Sequence, residues 1–187
     1  SLGVRMLDGQ PDYNRIWRAN PSPEGQMMQH IIHIMKHKRL FASIDIHNNT
    51  GENPHYACVS QMDPRHLRLA SLFRRTLVYY TNPPGTQSVV FSEFCPAITI
   101  ECGYSGDAHG VNVTCDFLDH LLHLDTISSK AISAEDIDLY KTIARILIPQ
   151  DISFTFARHG EKAEVDIVFI HDLDSLNFTE LEAGTLI

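Results

Sequence analysis

Three short stretches of the chain carry residue types that could do chemistry. Asp45-Ile46-His47 closes an apolar, β-branched run that begins at Phe41, after which the chain turns polar through Asn48, Asn49, Thr50, Gly51 and Pro54. A buried strand ending this way is either a solvated strand end with a capping Asp, or a metal ligand at the carboxyl edge of an α/β sheet, where sites collect. Glu101 ends a second run, Ala97-Ile98-Thr99-Ile100, that is otherwise uncharged. A carboxylate at the tip of a buried strand costs desolvation unless it has a partner or a job. No Arg or Lys lies between Val78 and His123 to neutralise it locally. Near the N-terminus, Arg5, Asp8, Asp12, Asn14 and Arg15 crowd one loop with Tyr13 and Trp17. The planar fork of Arg suits carboxylate recognition. Asn14 with Arg15 therefore makes a pocket for a small carboxylate or, on this segment alone, a loop held by Asp–Arg pairs.

Of the eleven histidines, six others read as structural or solvated rather than as metal ligands. His30, His33 and His37 fall on one helical face, but no carboxylate or Cys joins them at ligand spacing. His120 and His123 sit in similar company, and His171-Asp172-Leu173-Asp174 reads as a solvated turn.

Positioning these residues requires a layered sheet. Ser22-Pro23-Glu24 is a helix start, with Ser as N-cap, Pro at the first helical position and an acid in the first turn. That helix is expected to run to about Lys38, followed by strands over 40–46 and 56–60. A helix capped by Asp63-Pro64 is expected to reach about Leu77, then a strand from Ala97 to Glu101 and a helix from Val111 to Leu124. Strands alternating with helices argue for an α/β fold. After Leu124 the polar segment DTISSKAISAEDID reads as a linker, and the short alternating runs beyond it predict a small β unit. The expected division is an α/β domain over 1–128 and a C-terminal β domain over 129–187. The core of the second is expected to form from Ile143, Ile146, Phe154, Phe156, Val168 and Phe169.

Composition bounds the partners. The 187 residues are 43% hydrophobic and 20% charged, an ordinary globular balance. A net charge of −8 argues against nucleic acid, and no apolar run approaches the roughly 20 residues of a membrane span. Cys58, Cys95, Cys102 and Cys115 form no C-x-x-C pair and read as reduced thiols of a cytoplasmic protein.

Taken in order, RMLDGQPDYNR, DIHNNTG and ECG, with LNFTELEAGT near the end, resemble the zinc carboxypeptidase superfamily. The branch they are similar to is the succinylglutamate desuccinylase/aspartoacylase family. The resemblance implies a layered mixed sheet with helices on both faces, followed by a small C-terminal β domain. It also implies hydrolysis of an amide bond next to a free carboxylate, on a peptide or an N-acyl amino acid. Carried over, His47 is one ligand of a single Zn²⁺ ion, and Asn14 and Arg15 grip the substrate carboxylate. Arg5 faces the developing oxyanion, and Glu101 is the general base. The family's other two ligands come from a His-x-x-Glu, and no His in this chain has Glu three residues later. The expectation is that they lie upstream of residue 1. The alternative is a pseudoenzyme that keeps a carboxylate-binding pocket without catalysis. Aspartoacylases carry an additional Arg shortly before the Glu strand, and GTQSVVFSEFCPAITIE has none. Acidic acyl groups are accordingly disfavoured. A homo-oligomer is compatible with all of this.

Overall fold

The structure is a computed structural model that describes residues 7–18, 20–51, 53–158, 161 and 163–187. Helix α1 (Pro23–Lys36) starts where the sequence places it, with the Ser22 hydroxyl accepting from the Gly25 amide at 3.0 Å. Asp63 caps α2 (Pro64–Phe73), and Asp107 caps α4 (Ala108–Leu122) by accepting from the His109 amide at 2.9 Å. Between them run β1 (Ser43–Asn49), β2 (Tyr56–Val59), β3 (Thr76–Tyr79), the short α3 (Gln87–Phe91) and β4 (Ala97–Tyr104). Then come β5 (Asp138–Lys141), β6 (Phe154–Ala157) and β7 (Ile167–Ile170).

Five strands form one sheet in the order β1-β4-β2-β3-β5. β1 runs parallel to β4, and β2, β3 and β5 run parallel to one another; the β4–β2 junction is antiparallel. The carboxyl ends of β1 and β4 thus meet the start of β2. Because side chains alternate along a strand, the sheet has two distinct faces. Ala57, Val59, Leu77, Ile98 and Ile100 turn to one of them, where with Leu69, Ala70 and Phe73 of α2 and Phe117 and Leu121 of α4 they form the main core. The opposite face carries Asp45, His47, Thr99, Glu101, Tyr56 and Cys58. Its lower half is covered by α1 and α3 through a second cluster of Ile32, Val90, Phe91 and Ala97. The chain is therefore a mixed α/β layer with helices on both faces, as the sequence predicts.

Three expectations change. α2 stops at Phe73 because Arg74 turns extended, at φ −153° and ψ 157°, which frees Thr76–Tyr79 to become β3. β5 pairs in register with β3 and completes the main sheet, so that sheet extends past the expected boundary at 129; only β6 and β7 form a separate, parallel pair. The expected core of the C-terminal unit does not form as drawn. Ile143 and Ile146 are 89% and 85% exposed, because they lie on the irregular stretch that follows β5. Phe154, Phe156 and Phe169 do gather, with ring centroids 5.8–6.0 Å apart. No helix among the described residues is long and apolar enough to cross a membrane.

Candidate active site

His47 and Glu101 are register partners on β1 and β4, and Glu101 is in turn the antiparallel partner of Tyr56 on β2. Three adjacent strands thus set an imidazole, a carboxylate and a phenol in a row on the polar face. The β1–β4 register shifts between His47 and Asn49; such bulges re-aim side chains at the ends of ladders and next to active sites. Asp45, two residues before His47, shares its face and brings Oδ1 to 3.1 Å from His47 Nε2.

The N-terminal loop comes over this row from the side. Asn14 Nδ2 lies 3.2 Å from the same His47 Nε2. That nitrogen either donates to Asp45 or accepts from Asn14, so the tautomer selects between the two contacts. The Asp12 carboxylate accepts from the Asn14 amide at 3.0 Å and shapes the turn. Arg15 Nη1 donates to the Asn14 carbonyl at 2.7 Å. The loop is anchored from below, where the Trp17 amide donates to the Gly85 carbonyl at 3.1 Å and Arg18 Nε to the Pro84 carbonyl at 2.9 Å.

Asn14, Arg15, His47 and Glu101 all line one cavity of about 350 Å³. The structure therefore brings together four of the five residues singled out from the sequence; Arg5 lies outside the described residues. Tyr56, Thr99, Tyr80, Thr86, Thr142 and Phe178 share the lining, and sequence reasoning had missed them. Thr99 and Tyr56 were within reach, since Thr99 is two residues before Glu101 on the same strand face. Phe178 had no local signal: it packs against Tyr56 and Tyr140 at 4.8 and 5.2 Å between ring centroids, a contact only the tertiary fold creates.

The electrostatics favour proton handling. Burial raises Glu101 above the usual carboxylate range, with the Asp45 charge adding to the rise and His47 working against it. Burial, and secondarily the Glu101 charge, likewise push the Tyr56 phenol well above its ordinary value and the Cys58 thiol up to about 12. Asp45 Oδ2 and Glu101 Oε2 are buried without a hydrogen-bond partner. Such orphaned oxygens are costly and mark a place where a proton or a ligand group belongs. A complete zinc centre does not fit the described residues, however: no three His, Cys, Asp or Glu among them are grouped so as to hold a metal ion.

No family model matches the chain, and no curated protein matches its sequence. Solved structures do resemble its fold. The succinylglutamate desuccinylase from Chromobacterium violaceum superposes with a TM-score of 0.59 at 16% identity, over 84% of this chain and 55% of that one. A succinylglutamate desuccinylase from Vibrio parahaemolyticus gives 0.58 at 16% identity, over 82% and 52%. The product-bound ectoine utilization protein EutE (DoeB) from Ruegeria pomeroyi gives 0.51 at 14% identity, over 70% and 44%. The chain has the fold of succinylglutamate desuccinylase/aspartoacylase structures and spans about half the length of the ones it matches.

Proposed function

We propose that this chain carries the carboxylate-binding and proton-handling half of an amide hydrolase that acts next to a free carboxylate. The observation that carries the reading is the convergence of Asn14, Arg15, His47 and Glu101 on one cavity from a loop and two strand ends. Arg15 presents a charged fork to the substrate carboxylate, and the Asn14 amide fixes the approach of the neighbouring group. Glu101 acts as general base: its carboxylate takes a proton from the attacking water and passes it to the leaving amine nitrogen. Its raised proton affinity suits both halves of that transfer. Substrates are N-acyl amino acids or peptide C-termini whose remaining groups are uncharged.

Zinc dependence belongs to this proposal with one residue assigned, His47 as a ligand. The other ligands have to come from beyond the described residues. The lack of grouped ligands among the described residues is also what favours a second reading, a domain that binds carboxylates without turning them over. Hydrolysis of N-acyl amino acids and short peptides by the chain, with and without added zinc, separates the two. Release of free amine that depends on zinc and on Glu101 supports the hydrolase. Saturable carboxylate binding with no release of amine once zinc is shown to be bound supports the binder.

A further inference from the structure

Beneath the cavity, four hydroxyls form a continuous chain. Tyr80 Oη lies 3.1 Å from Thr86 Oγ1 and 2.8 Å from Ser88 Oγ, and Ser88 Oγ lies 2.7 Å from Thr99 Oγ1. These links connect the loop after β3, the start of α3 and the middle of β4. Tyr80, Thr86 and Thr99 line the cavity. Ser88, at 1% exposure, lies behind them and joins the two ends.

We propose that this chain is the polar floor of a second subsite, which takes an uncharged hydrogen-bond acceptor, such as a carboxamide or ester carbonyl oxygen, on the part of the ligand that does not bear the carboxylate. The argument is a count of protons. Each hydroxyl has one proton to donate, so four hydroxyls joined by three links leave one proton over. Ser88 cannot send its proton elsewhere, because it is enclosed by its neighbours. The spare O–H therefore emerges at Thr86, Tyr80 or Thr99, and all three face the cavity. A ligand with an acceptor there completes the chain, whereas a purely apolar group leaves a desolvated donor unmatched, which a polar site penalises. A second carboxylate fares no better. Among the described lining residues Arg15 is the one side chain of fixed positive charge and is taken by the first carboxylate, while Glu101 repels another. Tyr56, Phe178 and Thr142 add aromatic and small polar surface to the same lining. The subsite thus selects for neutral, polar groups.

The proposal deepens the functional reading above and depends on it only for the carboxylate end. Calorimetric titration of the full chain with glutaramate, hexanoate and glutarate, which share one carboxylate and end in a carboxamide, an alkyl group and a second carboxylate, tests it without requiring turnover. The carboxamide is expected to bind about fivefold more tightly than either of the others, the worth of one matched hydrogen bond. Ser88→Ala, which removes the link without changing the cavity surface, splits the chain into the Thr86–Tyr80 pair and a lone Thr99; two protons are then left over instead of one, and the ratio is expected to widen to about tenfold or more. Tyr80→Phe, which likewise breaks the chain and leaves two protons over, at Thr86 and Thr99, provides the same reading should Ser88→Ala fail to fold. Equal affinities in the unaltered chain, or a ratio that stays the same or falls in Ser88→Ala, overturn the subsite. If Arg15→Ala still weakens every probe in that case, the carboxylate reading survives. Binding that ignores Arg15→Ala, or no binding at all, sinks both.

Discussion

His47 and Glu101 stand opposite each other in the parallel ladder of β1 and β4, so imidazole and carboxylate rise from the same face of the sheet at the same height. A one-residue slip of register would send them to opposite faces. What holds the register is the other face, where Ile98, Ile100, Ala57 and Leu77 are fully buried against α2 and α4. Site geometry and core packing are thus two readings of one alternation.

The pH dependence of stability follows from Glu101. Its folded-state proton affinity is raised, first by burial and then by Asp45. The folded state therefore binds more protons than the unfolded state between the ordinary and the raised value. Stability contributed by this group is present below its unfolded pKa and declines as pH rises through the folded one. In metal-free protein, melting temperatures taken from pH 4 to pH 8 should fall on the alkaline side of that window. Glu101→Gln should flatten the fall, and an unchanged slope in the variant would assign it to other groups.

Kinetics should divide the roles within the cavity. Glu101→Gln keeps the shape and removes the base, so kcat should drop by about 10²–10⁴ with little change in KM. Arg15→Ala loses a charge-assisted fork worth roughly 1.5–3 kcal/mol, and its effect should fall mainly on KM, by about ten- to a hundredfold. The assignment of the base is wrong if Glu101→Gln turns substrate over at the parental rate.

Much of this site was legible because its residues break the pattern of their own elements. Asp45, His47 and Glu101 are polar tips on strand-like runs, and the N-caps Ser22 and Asp63 announce their helices. What escaped was whatever depends on partners distant in sequence. The reading of α2 as far as Leu77 followed its apolar residues into Leu77, which is fully buried but in a strand. β5 falls in one of the short alternating runs read as strand after Leu124, but its partner was not legible: it pairs with β3 and joins the main sheet. Thr86 and Ser88 carry no signal of their own in the sequence; the fold brings both to the Tyr80 hydroxyl.

Core substitutions should separate the sheet from the segment that follows it. Leu77 is fully buried between β2 and β5, and Leu77→Ala should cost about 2–5 kcal/mol. Ile143→Ala and Ile146→Ala, at exposed positions, should stay within about 0.5 kcal/mol. Urea unfolding of the three variants measures this directly. A large loss at Ile143 would mean that the isoleucine is covered in solution.

Gly85 sets the position of the loop that carries Asn14 and Arg15 from outside the cavity. A Cβ there would fall 2.1 Å from the Arg15 carbonyl oxygen and 2.9 Å from its carbon. Both are backbone atoms, so no rotamer change relieves the clash, and either the 82–86 loop or the 12–17 loop must move. The same approach makes the hydrogen bond from the Trp17 amide to the Gly85 carbonyl, which movement would stretch. Gly85→Ala is expected to destabilise the fold by about 1–3 kcal/mol, the usual cost of overpacking. More tellingly, it should weaken carboxylate binding about as much as Arg15→Ala does, because Arg15 is carried away from the cavity. The combined variant should then lose little beyond either single change, since both remove the same contact. Titration of N-acetylleucine into the two single variants and the double variant reads this coupling. Fully additive losses would show that Gly85 acts on stability alone and that the loop holds its place without it.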